Sequence, residues 1–153
     1  MQDYRELADK IDAQQGEGVE FGDAGSAPSD EWIRKTERAL GIILPPSYVW
    51  FLKNYGGGTI QGEEHNSIYE DDFDTAGGND LVYQYRWHLA KGLLSDEEVP
   101  LFSTELGDLF YIKSSEPTGE GEYAIYRKQG REDSIYASGF AEYLSRVIEE
   151  FCE

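Results

Sequence analysis

The chain has 153 residues, with 13 Lys and Arg against 31 Asp and Glu, for a formal net charge of −18. Such a field repels phosphate backbones and anionic lipid surfaces, which disfavours nucleic acid and membrane as direct partners. Three Trp, eleven Tyr and seven Phe offset a mean hydropathy of −0.60 and argue against disorder; one domain of this size buries about 70% of its unfolded surface.

Cys152 stands alone, so no internal disulfide forms, as suits a reducing compartment. Residues 1–15 are charged throughout and no long apolar run follows, so the expectation is a cytoplasmic protein. On charge alone, solubility through self-repulsion is a sufficient reading, and a basic partner is the sharper one.

Tyr4, Leu7, Ala8 and Ile11 are spaced for a short amphipathic helix. Residues 16–29 read as a loop with a brief extended piece at Val19–Phe21. Ser29 or Asp30 caps a second helix in which Ile33, Thr36, Glu37 and Leu40 share a side, and Gly41 suits its left-handed end. Pro45 and Pro46 break the chain and start a third helix, whose Tyr48, Phe51, Leu52 and Tyr55 fall at i, i+3, i+4, i+7. Gly56, Gly57 and Gly58 then allow a sharp reversal into a strand at Thr59–Ile60.

The segment 61–69 reads as hairpin-like around Gly62, with His65, Asn66 and Ser67 as a second turn. Residues 70–79 have turn composition, and Asp80 caps a helix to about Lys91 with Leu81, Tyr85, His88 and Leu89 on one face. Short β-branched or aromatic runs follow at 99–102, 109–112, 123–126 and 134–136, separated by glycine turns. Ser138 caps a closing helix with Phe140, Tyr143, Leu144, Val147, Ile148 and Phe151 on one stripe. The order predicts a single α+β domain over 1–153, with helices packed on a twisted, mainly antiparallel sheet of about five or six strands.

Leu40-Gly41, Leu44-Pro45-Pro46-Ser47-Tyr48, Phe51-Leu52, Tyr55-Gly56-Gly57-Gly58 and Ile60-Gln61-Gly62 together resemble the signature of the SUKH superfamily. Val99-Pro100-Leu101-Phe102, Gly107-Asp108 with Phe110-Tyr111, and Tyr136–Phe140 with Tyr143-Leu144 are similar to its later blocks. The likeness spans Trp32 to Leu144 and leaves residues 1–29 outside. It implies a SUKH-like fold and a non-enzymatic immunity protein that neutralises a cognate, often nuclease-type, toxin by protein–protein contact. The alternative it implies is a regulatory or scaffold binding module of the cell-wall-assembly regulator type.

The strongest local charge cluster is Glu63, Glu64, Glu70, Asp71, Asp72 and Asp74, with His65, Tyr69 and Phe73 interleaved. Carboxylates for Arg and Lys beside aromatic anchors are what contact with a basic partner needs, and Trp87 is a further anchor. The plainer reading is a solvated loop. Asp72 to Gly77 starts like a calcium loop, but Ala76 and Tyr83 stand where ligands belong, so no metal is expected. The triple glycine lacks the lysine and the strand-to-helix order of a phosphate loop. No histidine, cysteine or carboxylate pair is marked by spacing as catalytic, so no catalytic residue, metal or cofactor is assigned.

Overall fold

The computed structural model describes residues 3–152, and among them are five α-helices and seven strands. Helices α1 (Arg5–Gln14), α2 (Asp30–Leu40) and α3 (Pro46–Tyr55) lie in the first part of the chain, with strand β1 (Val19–Phe21) between α1 and α2. Strands β2 (Gly58–Ile60) and β3 (Glu63–Glu64) follow, then α4 (Leu81–Ala90). The second half holds β4 (Glu98–Ser103), β5 (Asp108–Gly119), β6 (Glu122–Gln129), β7 (Glu132–Ala137) and the closing helix α5 (Phe140–Cys152).

Helix α3 is central because its apolar spacing puts Tyr48, Phe51 and Leu52 wholly inside, each at most 1% exposed. Pro46 occupies the first turn, where no amide donor is needed. The free amide of Ser47 is met from far away in sequence. The Glu122 carboxylate on β6 accepts from its N–H at 3.0 Å and from its hydroxyl at 2.6 Å. Gly56 ends the helix at φ 75°, and a Cβ there would collide with Ser26. A Cβ on Gly58 would run into the Glu20 carbonyl, so the close pairing of β1 with β2 requires glycine.

The strands form two sheets, not one: β1-β2-β3 and the meander β4-β5-β6-β7, antiparallel throughout. The seven strands exceed the expected five or six because β3 is only two residues long, below what a period-two pattern can show. His65–Ser67 is not a turn. His65 bridges to Phe102, the Asn66 N–H donates to the Leu101 carbonyl at 2.8 Å, and Ser67 bridges to Asp80. His65 and Asn66 link the two sheets, and their side chains also find buried partners, the Tyr143 hydroxyl and the Pro100 carbonyl.

One core joins every layer, from Leu7 and Ile11 of α1 to Val147 and Ile148 of α5. Helix α5 lies on β6 and β7 and is flanked by α1, whose Lys10 reaches Ser145 at 2.8 Å and the Glu149 carboxylate. Leu89 departs from the expected buried face of α4 and is 41% exposed, while Leu81, Tyr85 and His88 are buried. No helix among the described residues is long and apolar enough to cross a membrane.

Candidate functional site

The acidic segment leaves β3, passes through the sheet-linking residues and returns to α4 at Asp80. Asp80 fixes both ends: its carboxylate accepts from the Tyr83 N–H at 3.0 Å, capping α4, and from the Tyr69 N–H at 3.1 Å. Burial raises the pKa of this carboxyl, and the backbone donors oppose that rise. Asn79 closes the loop, donating its side-chain amide to the Glu64 carbonyl at 3.1 Å and to Asn66 Oδ1 at 3.0 Å.

Several predicted residues turn out to hold the segment in place. The Tyr69 hydroxyl donates to Glu64 Oε2 and accepts from the Asn79 N–H at 2.8 Å; burial first, then the Glu64 bond, pushes its pKa up to about 12. Glu63 accepts from the Glu105 amide, and Glu70, at φ 58°, accepts from the Ser29 amide at 3.0 Å. Phe73 stands edge-on to Trp32, centroids 5.8 Å apart at 84°, and the Arg86 guanidinium lies over the Phe73 ring, 5.5 Å from its centroid. Arg86 also pairs with Asp74 at 3.0 Å.

Asp71 and Asp72 are different. Each carboxylate accepts from a local amide, that of Asp72 at 2.8 Å for Asp71 and that of Asp74 at 2.9 Å for Asp72, and both residues are exposed. Neither has a cation partner among the described residues. The negative charge that the segment offers outward is centred on them.

His65 does not belong to this surface. It is 1% exposed, stacked on Phe102 at 3.9 Å, and shares a 2.7 Å hydrogen bond between Nε2 and the Tyr143 hydroxyl. Burial drives its pKa down to about 3, so the ring is neutral. Its neighbours in sequence are acidic, but the chain turns it inward where the two sheets meet. Trp87, 42% exposed on α4, meets the His88 ring at 5.0 Å and Lys91 at 5.9 Å, and it makes no ring contact with Tyr69 or Phe73.

The arrangement therefore unites Tyr69 with Glu64, and Phe73 with Asp74, and sets Trp87 to one side. Sequence reasoning missed Asn79 and Arg86, which lock the loop. Their roles depend on contacts across folded chain that no local pattern displays. Among the described residues, no group of three or more His, Cys, Asp or Glu is arranged to hold a metal.

An α+β scaffold presenting a fixed acidic loop with aromatic support has the features of a protein-binding module. A family model described as SUKH_6, SMI1-KNR4 cell-wall, matches residues 30–144. The match covers most of the chain, and the chain belongs to this family. The matched segment starts at α2 and ends within α5, so α1 and β1 lie outside it although both enter the core.

Proposed function

We propose that the chain is an immunity protein that binds a cognate toxin domain in the cytoplasm and blocks its active site, with no enzymatic activity of its own. Membership of the family over residues 30–144 is the observation that carries this reading. The toxin domain is expected to be basic and of nuclease type, since a protein of net charge −18 attracts a surface built to hold phosphate. Asp71 and Asp72 supply the unpaired charge, Tyr69 and Phe73 the apolar contact, and Glu63, Glu64, Glu70 and Asp74 the rim. Trp87 extends the contact along α4. The hydrogen bonds that fix the loop reduce the ordering cost of association.

Protection tests the proposal. Cells producing the toxin domain encoded beside this chain should survive when the chain is co-produced and die when it is not. Death in the presence of well-folded chain removes the immunity reading. A pull-down that then returns a cell-wall-assembly complex would favour the regulatory or scaffold module instead, in line with the cell-wall description of the family.

A further inference from the structure

The four-stranded meander has one open edge. The outer side of β4 is taken, because His65 bridges to Phe102 and the Asn66 N–H donates to the Leu101 carbonyl. Strand β7 has β6 on one side and no strand on the other. Gly130 and Arg131 form the turn that joins them, closing the hairpin at Gln129 and Glu132. From that closure the ladder alternates, so Asp133 and Ile135 turn their N–H and C=O groups away from β6. Neither finds a backbone partner elsewhere among the described residues. The row ends at Tyr136, where the register shifts and the carbonyl accepts from the Arg146 guanidinium. Residues 132–135 are all exposed, Ile135 by 66%. Unpaired backbone beside an exposed aliphatic is a template for a further strand.

Charge selects which strand fits. In a chain with 31 acids and 13 cations, residues 123–137 carry three cations and two acids. This hairpin is therefore a part of the surface that a second copy of the chain repels little. At physiological salt, repulsion between exposed carboxylates elsewhere is screened beyond about 8 Å. The two ends of the edge also carry opposite charge. At the start of β7, Arg131 is exposed and forms no ion pair among the described residues. Past its end, the Ser138 hydroxyl donates to the exposed Glu142 carboxylate at 3.1 Å, and Glu120 lines the same recess. A basic strand from another protein would meet Arg131 as like charge and find Asp133 already paired with Lys128 at 3.2 Å. A second β7, laid antiparallel about a two-fold axis at Ser134, meets neither obstacle. It sets Asp133 opposite Ile135 at two symmetric positions and carries each Arg131 toward the other copy's Ser138 and Glu142.

We propose that β7 pairs antiparallel with β7 of a second copy, joining the two four-stranded sheets edge to edge. The contact is separate from the acidic loop, which is held against α2 by Trp32 and against α4 by Arg86. It does not rest on the toxin reading.

Sedimentation equilibrium of the full chain should give twice the single-chain mass at about 100 μM, falling toward one mass on dilution. Over the same dilution, hydrogen exchange at the Asp133 and Ile135 amides should quicken, while that at Ser134, which faces β6, should not. Ile135→Lys alters an exposed side chain, leaves the β6 ladder intact and should weaken pairing by about tenfold or more. Arg131→Glu should weaken it as well. A single-chain mass at every concentration would overturn the proposal and leave the edge to a strand of another protein. A dimer untouched by Ile135→Lys, or exchange at Asp133 and Ile135 that ignores concentration, would overturn it too.

Discussion

His65 places a titratable ring where the two sheets join, with Phe102 against one face and Tyr143 on Nε2. Its Nδ1 is buried without a partner, which adds to the cost of any charge there. The ring titrates near its ordinary value of 6.5 in the unfolded chain and near 3 in the folded one. Stability from the neutral ring is therefore fully present above pH 6.5 and is lost as pH falls toward 3. By pH 5 the loss amounts to about 2 kcal/mol. His65→Phe keeps the stacking and cannot titrate, so the gap between wild type and variant should shift by that amount between pH 7 and pH 5 in urea unfolding. Parallel pH profiles would contradict this. Asp71 and Asp72 give a second test at this scale, because Asn retains the oxygen that each turn needs and removes only charge. Asp71→Asn with Asp72→Asn should slow association with the toxin domain several-fold at low salt and flatten its salt dependence, leaving stability within about 0.5 kcal/mol. An unchanged on-rate would remove the loop from the interface.

Among the elements, α1 and β1 matter most for how the family fold is completed in this chain. Ile11 and Val19 are 0% exposed, Val19 pairs with Ile60, and α1 lies along α5. Ile11→Ala should cost about 2–5 kcal/mol in urea unfolding, as for other buried aliphatic truncations; a cost below about 1 kcal/mol would mark α1 as a loose appendage. The helices and β1 were legible because their signals are local: apolar groups at helical spacing, Ser29 and Asp80 as caps, and Pro46 at a helix start. All four apolar positions predicted in α3 are buried. His65, Asn66 and Ser67 have the look of a turn in sequence because they are polar and flanked by acids. Their burial depends on Tyr143, the Pro100 carbonyl and Asn79, which the sequence places far away. Glu122 is of the same kind, acting on Ser47 across 75 positions. The candidate loop was legible as charge and composition. Its division into structural acids and outward acids was not, because that depends on which backbone amides the fold leaves open.

At the level of the whole molecule, four of the thirteen cations join separate elements. Lys10 ties α1 to α5, Lys53 ties α3 to Asp30 of α2, Arg86 ties α4 to Asp74 of the loop, and Arg127 ties β6 to Asp108 and Glu150. With 13 basic against 31 acidic residues, the remaining carboxylates set a field that reaches beyond any one loop. Under the proposed function, such a field would speed capture of a basic partner, and contacts at the loop would select which one is kept. The measurement that bears most directly on this account uses purified components: the activity of the proposed cognate toxin domain, assayed as the chain is added. Inhibition that is complete near one equivalent is the predicted result. Full toxin activity in the presence of excess folded chain would contradict it.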